Sequence, residues 1–183
     1  MARRPYVTPA LFHTVGRHHK SAAGRAAPGA CEGYRPDCHD HRDLWAAGEM
    51  PYRDGLYRPG DTAVELHVEG PGAYHPDAGQ PIPFRLGGPL DVALAVAEDG
   101  VAEAYPNFDV CLPDGTGRMT GGGSGMGNVG WLARLGADGS LRWIAPMFSA
   151  NPFIGVRYEG TSAIFVNDWR NLLTLDLADA HLI

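Results

Sequence analysis

Residues 129–177 read VGWLARLGADGSLRWIAPMFSANPFIGVRYEGTSAIFVNDWRNLLTLDL, and this stretch decides the fold class. Val129, Trp131, Ala133 and Leu135 fall on alternate positions, as do Leu141, Trp143, Ala145 and Met147. Successive side chains of a strand point to opposite faces, so this spacing puts each set on one face. Ala137-Asp138-Gly139-Ser140 separates the two runs as a tight turn. The same grammar repeats downstream. Ile154, Val156 and Tyr158 precede Glu159-Gly160, Ser162, Ile164 and Val166 precede Asn167-Asp168, and Leu173, Leu175 and Leu177 follow. Five short strands joined by tight turns predict an antiparallel meander. Each apolar face needs a cover, so the expected fold is mainly β with little helix, an antiparallel sandwich or a small barrel.

Working upstream, Thr62, Val64, Leu66 and Val68 alternate with Ala63, Glu65, His67 and Glu69, the pattern of a half-buried strand. Leu90–Ala97 and Val101–Tyr105 flank Glu98-Asp99-Gly100, which predicts a second hairpin of the Asp-Gly type. Gly121–Gly130 is glycine-rich and contains a formal G-x-G-x-x-G at Gly125, Gly127 and Gly130. A strand-like segment follows where dinucleotide binding requires a helix, so the segment is expected to be a flexible surface connection. Residues 1–60 hold no sustained period, only short helical turns near Leu11–Val15 and Asp43–Glu49. The expected organisation is therefore an irregular N-terminal arm over residues 1–60 and an antiparallel β domain over 61–183.

Composition narrows the function classes. The 25 glycines and 15 prolines oppose a mostly helical protein. No apolar run reaches the roughly 18–20 residues that cross a bilayer, so no membrane-spanning segment is expected. Pro5, Thr8, Pro9, His13 and Thr14 interrupt the apolar core that a secretion signal needs. Arginine outnumbers lysine fourteen to one, the coding habit of a GC-rich genome. A bacterial cytoplasm is the expected location. Cys31, Cys38 and Cys111 are too few, and odd in number, for a disulfide framework. Residues 1–31 carry Arg3, Arg4, Arg17, Lys20 and Arg25 and no acid, leaving all 21 carboxylate side chains in the remainder. A basic arm on an acidic body can tether a partner or assemble a homo-oligomer. Basic residues are not interleaved with the aromatic ones, so no nucleic-acid face is expected on the β body.

Seven of the eight histidines precede residue 76, and Cys38-His39-Asp40-His41 is their densest patch. Imidazole, thiolate and carboxylate are ligands for divalent transition metals, and His39 and His41 share a face in an extended segment. Gly33-x5-His39-x-His41 is similar to the first half of the cupin metal motif. Pro71-Gly72-Ala73-Tyr74-His75 resembles the second half, while the glutamate that follows the paired histidines in that motif is missing here. Cys38, His39, His41 and His75 are thus the candidate metal ligands. His67 is a second candidate, flanked on its strand face by Glu65 and Glu69 at about 7 Å along the chain. Carboxylates on both sides would orient its ring for proton transfer, and His67 with Glu65 forms the candidate catalytic pair.

Two functions compete. One is a small soluble β-fold enzyme acting on a small molecule, metal-assisted through the His/Cys cluster or metal-free through His67 and Glu65. The other is a non-catalytic binding or assembly module built from the basic arm and the acidic β body.

Overall fold

A computed structural model describes residues 41–70, 78–125 and 127–179, all within the compact unit Arg35–Ile183. In chain order the elements are α1 (His41–Ala46), β1 (Glu49–Pro51), β2 (Gly55–Arg58), β3 (Thr62–Val68) and β4 (Phe84–Leu90). Then come α2 (Val92–Asp99), β5 (Val101–Glu103), β6 (Tyr105–Cys111), β7 (Gly117–Gly123) and β8 (Gly130–Gly136). The chain ends with β9 (Leu141–Met147), β10 (Phe153–Glu159), β11 (Ser162–Asn167) and β12 (Leu172–Asp176). Every pair of these strands that hydrogen-bonds is antiparallel.

A seven-stranded sheet runs β4-β3-β2-β9-β8-β7-β6, a three-stranded sheet runs β10-β11-β12, and β1 pairs with β5. The large sheet is open at β4 and β6, so of the two expected architectures the arrangement is sandwich-like and not a closed barrel. Among the described residues strand pairing begins at Glu49, ahead of residue 61 where the alternating text starts. The five strands expected over 129–177 are all present. They are not one meander, however: β8 and β9 belong to the large sheet, while β10, β11 and β12 form the small one. The chain changes sheets at Ala150-Asn151-Pro152. Asn167 Nδ2 donates to the Ala150 carbonyl at 2.6 Å, and the Asp168 N–H donates to the Pro152 carbonyl at 2.9 Å. These bonds fasten the crossing segment to the β11–β12 turn.

Both faces of the large sheet are covered at its centre. On one face Leu56, Leu66, Met119, Leu132, Trp143 and Ala145 pack with Phe153, Phe165 and Leu173 of the small sheet. On the other, Tyr57, Val129, Trp131, Ala133 and Ile144 pack against Met50 of β1, Val92 of α2 and Trp45 of α1. The Trp45 ring meets Trp131 edge-on, with centroids 5.6 Å apart, and Trp131 Nε1–H donates to the Gly123 carbonyl at 3.0 Å. A buried indole that keeps a partner for its one polar atom contributes its full apolar area to the core.

Two expectations are corrected. The hairpin predicted across residues 90–105 is instead helix α2 followed by β5. Asp91 caps the helix, its carboxylate accepting the Leu94 N–H at 2.9 Å, and Gly100 closes it at φ 81°. Val92, Ala95 and Val96 form the buried helical face. The V-A-L-A-V-A text alternates as a strand would, but its alanines and its capped ends favour the helix. The glycine-rich stretch is also not wholly a surface connection, because Gly121, Gly122 and Gly123 lie buried inside β7. A Cβ on Gly122 would sit 1.9 Å from the Tyr105 carbonyl oxygen, so glycine there serves close backbone approach.

Candidate functional site

The face of β3 that carries Ala63 into the core turns polar further along the strand, at Glu65, His67 and Glu69. The strand alternation puts Glu65 and His67 side by side, and the His67 Nε2 lies 3.3 Å from Glu65 Oε2. Both are partly open to solvent, with His67 38% and Glu65 50% exposed at the side chain. The carboxylate on the other flank does not join them. Glu69 accepts Arg85 Nε–H at 2.9 Å instead, so the expected two-sided arrangement around His67 is a one-sided pair.

Neighbouring strands shape the space around this pair. In the β3–β4 register Val64 faces Pro89 and Leu66 faces Leu86, so Glu65 alone spans Gly87 and Gly88. This bulge brings the Gly87 backbone close to the two side chains. A Cβ added at Gly87 would lie 2.7 Å from His67 Nε2 and 2.9 Å from Glu65 Oε2. On the other side, the β2–β3 register sets Gly55 opposite Glu65, which carries Arg53 and Asp54 to the same place.

Arg53, Asp54, Glu65, His67, Glu69 and Ser149 line a cleft of about 390 Å³, with Leu90 among its apolar lining. That size is within the usual range of small-molecule sites. Asp54 Oδ1 accepts the Phe148 N–H at 2.6 Å. Burial pushes its carboxyl above the ordinary carboxylate value, opposed by the Phe148 hydrogen bond and by the charge on His67. Arg53 is engaged by the end of α2: its Nε is 3.0 Å from Asp99 Oδ2 and its Nη1 3.6 Å from Glu98 Oε2. Tyr57 Oη donates to the Arg53 carbonyl at 3.1 Å, and burial raises its phenol well above the ordinary value.

The structure thus brings together the two residues of the predicted catalytic pair and adds Asp54, Arg53 and Gly87, which sequence reasoning missed. Of the predicted metal ligands, Cys38, His39 and His75 lie outside the described residues, and the side chain of His41, at the start of α1, does too. Among the described residues no group of three or more His, Cys, Asp or Glu side chains is placed to hold a metal ion. Cys111 is a free, exposed thiol on β6. Among the described residues no helix is long and apolar enough to cross a membrane. No protein-family model, curated protein or solved structure matches the chain.

Proposed function

We propose that the chain is an enzyme that moves a proton on a small molecule bound in the β2–β3–β4 cleft. One observation carries this reading: an imidazole and a carboxylate 3.3 Å apart in a cleft of about 390 Å³. With Glu65 beside Nε2, the neutral ring keeps its proton on Nε2 and offers Nδ1 as the base. The Glu65 carboxylate also stabilises the imidazolium that forms. A metal-assisted version would draw on Cys38, His39, His41 and His75. The low cysteine count supports a reducing compartment, the cytoplasm, as the place of action.

The test is nitrophenol release from nitrophenyl esters, phosphates and glycosides across about pH 5 to 8, where histidine chemistry operates. The expected result is turnover that falls by about 10²-fold or more in His67→Asn and less steeply in Glu65→Gln, both variants remaining folded. Equal rates for wild type and His67→Asn, or no turnover on any substrate class, would overturn the proposal.

The second reading, a binding or assembly module, draws support from the acid-free, basic composition of residues 1–31. Replacing Arg3, Arg4 and Arg17 together by Glu should then abolish association seen by light scattering and leave the melting temperature unchanged. Association that survives the charge reversal removes this reading.

A further inference from the structure

We infer that β6, an outer strand of the seven-stranded sheet, pairs antiparallel with β6 of a second copy of this chain about a two-fold axis through Val110. An edge strand offers unpaired N–H and C=O groups, which proteins blunt with prolines, bulges, charges or a covering segment. Three of the four edges carry such devices. β4 has Pro89 and the bulge at Gly87 and Gly88. β12 is covered at its start, where the Leu172 N–H donates to the Gln80 carbonyl at 2.9 Å and the Ile82 N–H to the Leu172 carbonyl at 2.7 Å. β10 breaks its register between Phe153 and Gly155 and presents the charges of Arg157 and Glu159. β6 keeps Pro106 and a bulge at one end, and from Phe108 to Cys111 it runs in regular register.

The Leu112 N–H donates to the Gly117 carbonyl at 2.9 Å, so by alternation Asp109 and Cys111 direct their N–H and C=O groups away from β7. Among the described residues no backbone group hydrogen-bonds to them there. Asp109, Val110 and Cys111 are exposed, and the one charge among them is matched by Arg118, whose Nε–H donates to Asp109 Oδ1 at 2.8 Å. Apolar surface gathers at the same margin. Tyr105 and Val110 are exposed, as is Ile154, which follows Phe153, whose carbonyl accepts Asn107 Nδ2–H at 2.9 Å.

A second copy fits because the strand is complementary to itself in one register. Centred on Phe108 or Asp109, the pairing runs into the bulge at Asn107, and the second of these sets two carboxylates face to face. Centred on Cys111, Asp109 meets Pro113, which has no N–H to give. Centred on Val110, Asp109 and the partner's Cys111 exchange both N–H···O=C bonds, and Val110 lies against the partner's Val110. Arg118 is the register partner of Cys111 across β6 and β7, so the partner's Asp109 arrives in the row of a guanidinium.

Sedimentation velocity of the full chain in reducing buffer tests this. Wild type should show a concentration-dependent equilibrium between monomer and dimer. Val110→Lys sets two ammonium groups across the axis and should weaken dimerisation about tenfold or more. Cys111→Pro, which removes an outward N–H and no bond to β7, should do the same. Cys111→Ser should dimerise as wild type does, and so should the triple charge reversal of Arg3, Arg4 and Arg17, because the pairing does not use the arm. In the Cys111→Ser background, Val110→Cys should form a disulfide-linked dimer on mild oxidation, and Ile154→Cys should not. A monomer at every concentration, a dimer that survives Val110→Lys, or a dimer lost in Cys111→Ser or in the arm variant would overturn the inference. Crosslinking at position 154 in preference to 110 would also overturn it. If Cys111→Pro does not fold, Val110→Lys, at an already exposed position, decides the outcome.

Discussion

The centre of the seven-stranded sheet and its β3–β4 margin are built on the same face by the same alternation, yet they end as opposite environments. At β8, Trp131 and Ala133 point into a layer made by α1, β1 and α2 and are fully buried. At β3, Ala63 still reaches that layer, but the next positions on its face, Glu65 and His67, open into the cleft. The lesson is that the covering layer is shorter than the sheet it covers. Where it stops, an inward-facing row of side chains becomes a polar site standing on a rigid strand. Stability should therefore reside at the centre and chemistry at the margin, and substitutions at the two places should separate these properties.

The largest effect is expected at the centre. Trp131→Ala removes a fully buried indole, strands the Gly123 carbonyl and leaves Trp45 without its edge-on partner. A loss of about 3–5 kcal/mol is expected from the urea midpoint, the range for aromatic truncation in a core. His67→Asn, on the same face of the sheet, should shift the midpoint by no more than about 0.5 kcal/mol, as surface substitutions do. Comparable losses for the two variants would break the contrast between centre and margin.

Asp54 stands between the two regions and should show an intermediate effect. Asp54→Ala leaves the Phe148 N–H without its acceptor, at a cost of about 1–3 kcal/mol. Asp54→Asn retains an acceptor oxygen and removes the charge, so its behaviour depends on pH. Burial holds the folded carboxyl above the ordinary aspartate value, so the stability it contributes is fully present below that ordinary value. That contribution is lost as pH rises through the folded value. The stability of Asp54→Asn relative to wild type should therefore increase from acidic towards neutral pH, measured by paired urea titrations. A difference that is flat with pH, or that falls as pH rises, would show that burial does not disfavour this carboxylate.

How far the sequence reaches follows from the kind of information each residue carries. Val129, Trp131, Ala133 and Leu135 announce their shared face because period two is local, and all four fall in one core cluster. The break after Ala150 was not legible, since alternation states which side chains share a face and not which sheet they will meet. Residues 92–97 satisfied two periods at once, and the alanines, the Asp91 cap and the Gly100 stop distinguish helix from strand. Glu65 and His67 were legible for the same local reason as the strands. Asp54 and Arg53 were not, because they reach the site through the β2–β3 register, and Asp54 is anchored by Phe148, 94 residues away in the chain. Gly87 carries no side chain to attract notice; its role is the space it leaves.

That space provides the finest test of the margin. Gly87→Ala puts a methyl group 2.7 Å from His67 Nε2 and 2.9 Å from Glu65 Oε2, closer than real contacts allow. The ends of the two partly exposed side chains can rotate away, but Glu65 Cβ, also 2.9 Å off, is fixed to β3, so the two strands must shift slightly as well. Stability should consequently fall by about 1–2 kcal/mol, the lower part of the range for an overpacked methyl group. The imidazole–carboxylate contact has no such latitude, since a displacement of about 1 Å is enough to cost a positioned group most of its effect. The His67 ring resonances should therefore shift in Gly87→Ala to resemble those of Glu65→Gln, while the urea midpoint falls only modestly. Ring resonances unchanged from wild type would mean that the bulge at Gly87 does not hold the pair, and the margin would lose the one feature of its backbone that is shaped around the site.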